Sequence, residues 1–372
     1  MSSKARLEKF GVALLATRGS VLGYDPCGGS EVVLWGDVAI LRDAGIPVRV
    51  YGRAARNGAP VSTLPIHADL PLLGSLEYCG RLLWKEREAL VMAYNEPTVA
   101  GLIPQRSIVE FDWTTPLPRY WKLPGWISRF RRALYVFPSN SERQLFLQKH
   151  PLIPQNAAVI LPYRLDLALF KPAEHGARHP LRVGFAGQWL AGKGISPLLE
   201  AWKIVKGEFP AAELWVAGGA QLYKVTYAIP GAREAAGLIG AMERGGLLHV
   251  VGELRRAEMP AFWNSVDIAV VPSLTEAFGL VALEALACGV PVVASAVGGL
   301  VEIVVDGECG LLVQPNNPKQ LAEALIGLLS NAELRCRLAE GTRRRATMWS
   351  VERRSQELLG LMVTRVEALR SK

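Results

Sequence analysis

Short runs of β-branched and apolar residues alternate along almost the whole chain with segments whose apolar positions recur every three to four residues. Runs of the first kind predict buried strands and those of the second predict amphipathic helices; their alternation predicts parallel sheets built from βαβ units. In the first half, strands are expected at residues 10–17, 47–51, 89–94, 107–113, 134–139 and 157–161. Helices are expected at 31–44, closed by Gly45, and at 140–150. Residues 52–71 carry neither period and read as loop. Across residues 172–180 small, polar and proline residues replace the apolar pattern, marking a boundary between domains. Alternation then resumes, with strands expected at 181–186, 213–217, 248–251, 267–271, 292–294 and 310–313, and helices after Asn331. The pattern predicts two successive Rossmann-like α/β domains, 1–172 and 181–350, with a last helix over 351–372. A ligand of such an architecture belongs at the carboxyl ends of the strands, here between the two domains.

Composition narrows the picture. Half of the 372 residues are apolar and a fifth are charged, the balance of a folded chain rather than a disordered one. The net charge of +8 is a mild bias toward anionic partners, too diffuse for a nucleic-acid arm. Cys27, Cys79, Cys288, Cys309 and Cys336 are odd in number and far apart, so neither a zinc site nor a disulfide framework is expected. Residues 1–9 have no apolar stretch of the secretory kind, and the most apolar segment, 279–305, contains Glu284, Pro291 and a glycine pair. A cytoplasmic protein is expected, with a possible peripheral contact on the inner membrane face.

The segment 270–299, VVPSLTEAFGLVALEALACGVPVVASAVGG, concentrates the chemistry. It reads as a buried strand ending at Pro272-Ser273, a loop holding Glu276, and a helix opening near Phe278-Gly279-Leu280. The first N–H groups of a helix lack intrahelical partners, and the dipole behind them favours an anion. Gly279 lets that anion approach the backbone closely. Glu276 and Glu284 flank this helix start, and a carboxylate can accept two hydroxyl hydrogen bonds. A phosphate carrying hydroxyl-bearing groups on both sides suits the arrangement. The alternative for an isolated pair is a helix-capping Glu276 and a solvated Glu284. For Lys193 it is a surface lysine on a loop, and for Gly28-Gly29 a tight strand-to-helix turn.

With its Pro-Ser, Glu, Phe-Gly-Leu, Leu-Glu-Ala, Gly-x-Pro-Val-Val-Ala and Gly-Gly-x-x-Glu elements, this segment resembles the donor-binding signature of the family-four retaining glycosyltransferases, glycosyl transferases group 1, which have the GT-B fold. Residues 163–172, 184–194, 265–273 and 307–314 are similar to that family's interdomain turn, phosphate loop and late strands, and Gly28-Gly29 to its amino-terminal glycine pair. The resemblance implies two Rossmann-like domains facing each other across a cleft, the first binding the acceptor and the second the nucleotide-sugar donor. It also implies a last helix that returns to the first domain. Glu276 would hold hydroxyls of the donor sugar, and the backbone of Phe278, Gly279 and Leu280 the distal phosphate. Glu284 would bind the ribose, Lys193 would neutralise the diphosphate, and Glu253-Leu254 would sit where the base is read. The implied reaction moves a sugar from a UDP- or GDP-type donor to a hydroxyl of a glycan, glycolipid or small natural product. Neither metal nor cofactor is implied, and no Asp-x-Asp occurs.

Two positions depart from the family pattern. Gln188 stands where an Arg is common, replacing a charge-assisted contact by a neutral donor. The strand 107–113 lacks the family's histidine; Asp112 and Trp113 stand near its end on the acceptor side. Residues 113–135 mix Arg119, Lys122, Arg129, Arg131 and Arg132 with Trp121, Trp126, Phe130 and Tyr135 and hold no acid. That composition suits an anionic membrane surface or a lipid-phosphate acceptor, or else a solvated basic face over an aromatic core. The alternatives to a transferase are a sugar-nucleotide epimerase, which needs acid/base residues facing the sugar, and a nucleotide-binding scaffold without turnover. A dinucleotide oxidoreductase is disfavoured because no Gly-x-Gly-x-x-Gly follows a first strand.

Overall fold

The computed structural model describes residues 2–16, 21–22, 29–52, 54–55, 62–63, 71–111, 117, 119–123, 125–173, 180–219 and 232–369. The chain divides into two units, Met1–Tyr163 with Glu352–Lys372, and Arg164–Val351. The division falls at Tyr163, ahead of the compositional change at 172–180. Residues 164–173 are fastened to the second unit. The Leu165 N–H donates to the Trp349 carbonyl at 2.9 Å and that of Ala173 to Asn264 Oδ1 at 2.8 Å, while the Arg256 guanidinium lies 4.5 Å from the centre of the Phe170 ring.

The strands of the first unit are β1 (Val12–Leu15), β2 (Val21–Leu22), β3 (Val48–Gly52), β4 (Ala54–Ala55), β5 (Ser62–Thr63), β6 (Leu90–Tyr94), β7 (Ser107–Glu110), β8 (Leu134–Phe137) and β9 (Ala158–Ile160). Seven form one parallel sheet in the order β5-β3-β1-β6-β7-β8-β9, and β2 and β4 pair separately. The expected loop 52–71 thus contributes β4 and β5, each too short to show a period. The helix Pro71–Lys85 has no counterpart among the expected elements; Gly74 and Gly80 lower its intrinsic propensity. The second unit holds β10 (Arg182–Ala186), β11 (Glu213–Ala217), β12 (His249–Gly252), β13 (Ile268–Val271), β14 (Val292–Ser295) and β15 (Gly310–Val313), all parallel, in the order β12-β11-β10-β13-β14-β15. Its central strands are buried on both faces, which is why they read as unbroken apolar runs. Strand order reverses at β10 and β13, and their carboxyl ends bound the crevice where ligands bind in open α/β sheets.

The helix Val351–Glu367 returns to the first unit through a buried charge cluster. Arg354 donates from Nε and Nη2 to the two oxygens of Asp37, each at 2.7 Å, and from Nη2 to Glu110 at 3.2 Å. Its Nη1 donates to the carbonyls of Leu161 and Pro162 at 3.1 Å, and the Tyr94 hydroxyl donates to Asp37 at 2.8 Å. Burial opposes the charge of Arg354, yet Asp37 and Glu110 outweigh it and hold the guanidinium well above its ordinary pKa.

In the basic stretch, Trp121, Phe130 and Tyr135 are buried, and Trp126 covers Gly101, where a Cβ would stand 2.6 Å from its ring. Arg129 donates to the carbonyls of Gly101 and Leu102, whereas Arg131 is exposed and Leu123 is 53% exposed. Packing against this layer, His150 accepts from the Leu117 N–H at 3.4 Å through Nε2. Burial, and then Lys122 and Lys149, lower the His150 pKa to about 4. Between about pH 4 and the unfolded value near 6.5, the native chain therefore binds fewer protons than the unfolded one, and stability rises with pH. Lowering the pH from 7 to 4 is expected to remove about 3 kcal/mol through this residue. Urea denaturation across that range should show His150→Gln losing less stability than wild type as the pH falls.

Candidate active site

Two loops leave the sheet of the second unit where its order reverses, one after β10 and one after β13. The first runs through Gly187 to the short 3-10 turn Ala191–Lys193, then Gly194, whose φ of 72° opens the helix Ile195–Glu208. A Cβ at Gly194 would lie 1.8 Å from the Pro272 carbonyl oxygen, and the Leu274 N–H donates to the Gly192 carbonyl at 2.8 Å. Only glycine permits this approach, and it brings the two loops into register. Lys193 Nζ then meets Glu276 Oε2 at 2.7 Å, and the Ser273 hydroxyl donates to the same oxygen at 3.1 Å. The side chain of Glu276 is 15% exposed and that of Lys193 is 35% exposed, so the pair is partly buried but reachable from solvent.

Gly279, at φ 106°, precedes the helix Leu280–Ala287, and a Cβ there would strike Leu300 Cδ2 at 2.6 Å. The Gly298-Gly299 pair holds the loop from behind. A Cβ at Gly298 would lie 1.7 Å from the Glu276 carbonyl oxygen, which accepts from the Gly299 N–H at 3.0 Å. Glycines spread over more than a hundred residues therefore fix the height of Glu276 and the entry to the helix. The first N–H groups of a helix lack intrahelical acceptors, so this entry presents donors near Glu276.

Glu284 is 3% exposed, not solvated. Its Oε1 accepts from Arg256 Nη1 and its Oε2 from Trp263 Nε1 at 3.3 Å. Beneath it, burial and the neighbouring Glu284 push the Cys288 thiol up to about 12. Glu253 and Leu254 follow β12, and a Cβ at Gly219 would lie 2.7 Å from Glu253 Oε1, so the ends of β11 and β12 meet closely. Gln188 follows Gly187, and the N–H of the next residue, Trp189, donates to the Gly219 carbonyl at 3.1 Å.

The structure therefore brings together Lys193, Glu276, Phe278, Gly279 and Leu280, with Glu284 further along the same helix. Of the first-unit positions, Gly29 begins the helix Gly29–Asp43 after β1, while Gly28, Asp112 and Trp113 lie outside the described residues. Sequence reasoning missed Arg256, Trp263 and Ser273. Ser273 was visible only as part of the Pro-Ser element and Arg256 only as part of the Arg255-Arg256 pair past Glu253, and nothing in the spacing links Arg256 or Trp263 to Glu284. Among the described residues no group of three or more His, Cys, Asp or Glu is placed to hold a metal ion, and no helix is long and apolar enough to cross a membrane.

The second unit is an open parallel α/β sheet with a glycine-framed loop at its reversal point, and the two units together have the GT-B fold. Residues 171–345 match the family model of glycosyl transferases group 1, and this stretch of the chain belongs to that family. A D-inositol 3-phosphate glycosyltransferase of Salinispora arenicola is 49% identical over 102 residues, 27% of this chain and 23% of that one. An MMP alpha-(1->4)-mannosyltransferase of Mycolicibacterium hassiacum is 33% identical over 241 residues, 63% of this chain and 55% of that one. The matches thus span from a quarter to about half of these relatives' length. Among solved structures, Anabaena HepE in complex with UDP-glucose superposes with a TM-score of 0.75 at 19% identity, covering 95% of this chain and 99% of that one.

Proposed function

We propose that this protein is a retaining glycosyltransferase that moves a sugar from a nucleoside-diphosphate sugar, of UDP or GDP type, to a hydroxyl acceptor. The observation that carries the reading is the meeting of Lys193 and Glu276 at 2.7 Å beside the Gly279 helix start, at the carboxyl ends of β10 and β13. A cation, a hydroxyl-binding carboxylate and a row of N–H donors match the three parts of a sugar diphosphate. The family of residues 171–345 and the UDP-glucose held by the Anabaena neighbour support the same assignment.

On this reading Glu276 orients the sugar, and Lys193, Gln188 and the backbone of 278–280 hold the distal phosphate. Glu284 takes the ribose hydroxyls, and the base lies along Glu253-Leu254. The bond from the anomeric carbon to the diphosphate oxygen breaks, and one to the acceptor oxygen forms on the same face. The acceptor proton passes to the departing diphosphate. Charge building on that diphosphate is stabilised by donors fixed in advance, with Lys193 in place of a metal ion. Acceptor binding falls to the first unit, with peripheral contact to an anionic membrane through 113–135 supported by exposed Leu123 beside Lys122.

The test is thermal stability against UDP, GDP, ADP, TDP and NAD, with Glu284→Ala alongside. A nucleotide at 100 times its dissociation constant adds about 2.7 kcal/mol, a rise of several degrees. One nucleoside diphosphate should stabilise the wild type and fail to stabilise the variant. Stabilisation by NAD alone would overturn the reading, and binding without release of nucleotide from any donor would leave a scaffold.

A further inference from the structure

We propose that Arg256 is a positioning residue for the nucleotide ribose, acting through Glu284; the proposal rests on the assignment of Glu284 above. Glu284 sits on the helix Leu280–Ala287, while its two donors come from elsewhere: Arg256 from the 3-10 turn Arg256–Glu258 and Trp263 from the helix Met259–Trp263. One donor on each oxygen fixes the plane of the carboxylate. An ionised carboxylate offers about four acceptor positions, so two remain for a pair of neighbouring hydroxyls.

The two donors are not equivalent. Trp263 is fully buried and packs edge-on against Phe262 with ring centres 4.9 Å apart, and its bond to Glu284 is long at 3.3 Å. Arg256 makes the stronger, charge-assisted contact. A second contact sets its position, since the guanidinium lies over the buried Phe170 ring, 4.5 Å from its centre. Held over Phe170 and hydrogen-bonded to Glu284, the guanidinium cannot turn far without weakening one contact. A lysine would give a point charge but neither the stacking nor the fixed fork. The side chain remains 26% exposed, so it borders the site rather than the core. Without it, Glu284 keeps a single weak donor and can rotate away from the geometry that two adjacent hydroxyls require. Recognition of ribose, as distinct from recognition of diphosphate, then depends on Arg256.

The experiment compares dissociation constants of UDP, 2′-deoxy-UDP and inorganic pyrophosphate for wild type, Arg256→Met, Arg256→Lys and Phe170→Leu, with the GDP pair substituted where GDP is the stabilising nucleotide. Wild type should prefer the ribonucleotide by about tenfold or more, the scale of hydrogen bonds to a charged group. Arg256→Met should reduce that preference to threefold or less and leave pyrophosphate affinity unchanged. Arg256→Lys and Phe170→Leu should fall between the two. A preference retained in Arg256→Met within twofold of wild type overturns the proposal alone. An equal loss of all three ligands also overturns it, showing that Arg256 merely supports the fold. A wild type without ribose preference overturns the assignment of Glu284 as well.

Discussion

Lys193→Met should lower the rate of nucleotide release from the donor sugar by about 10²–10³-fold, the usual effect of removing one preorganised group from a site of developing charge. The cation stands on a loop pinned by Gly194 and Gly192, so it needs little rearrangement to meet a phosphate oxygen. Its partner Glu276 keeps the Ser273 hydroxyl when the amine is lost, and the pair is only partly buried. The cost to stability should therefore be about 1 kcal/mol, above that of a fully exposed pair and well below that of a buried one. Steady-state hydrolysis of the stabilising nucleotide-sugar, with water as acceptor, measures the effect. A double variant with Glu276→Gln separates two roles for the lysine. If Lys193 served only to neutralise Glu276, the double variant would regain most of the lost rate. If both groups touch the donor, it stays as slow as the slower single variant.

Arg354→Met is the substitution with the largest expected effect on folding. Asp37 and Glu110 are each at most 1% exposed, and Arg354 is the cation that the structure sets between them. Removing one partner of a buried ionic cluster typically costs about 3–5 kcal/mol, because the remaining charge stays desolvated and unpaired. Here two carboxyl groups are left facing each other, and the carbonyls of Leu161 and Pro162 lose their donor. Chemical denaturation followed by a probe in the first unit should show that loss. Adding Asp37→Asn should recover part of it, since one buried charge fewer lacks compensation. A loss below 1 kcal/mol would mean that the helix Val351–Glu367 is held by its apolar contacts instead.

The alternation of buried strands and helices was legible throughout the second unit because its central strands are covered on both faces, so their sequences are apolar without interruption. Glu276, Gly279 and Glu284 were equally legible because they lie within one strand-loop-helix segment, where order along the chain and order in space coincide. The first unit was read less well: β4 and β5 are two residues each, and the helix Pro71–Lys85 contains two glycines. No period can register in the former, and propensity argues against the latter.

By itself, then, the sequence determined which segments are strands in the second unit, where the helix after Glu276 begins, and which two acids flank that start. The tertiary structure alone decided that Lys193 pairs with Glu276 across 83 residues, that Glu284 is buried between Arg256 and Trp263, and that Arg354 is enclosed by Asp37 and Glu110. Each of these is a contact between charged or polar side chains from distant elements. A lone Arg or Asp on a helix has no local signature of its partner, because the periodicity that marks a buried apolar face says nothing about which polar group will be desolvated with it.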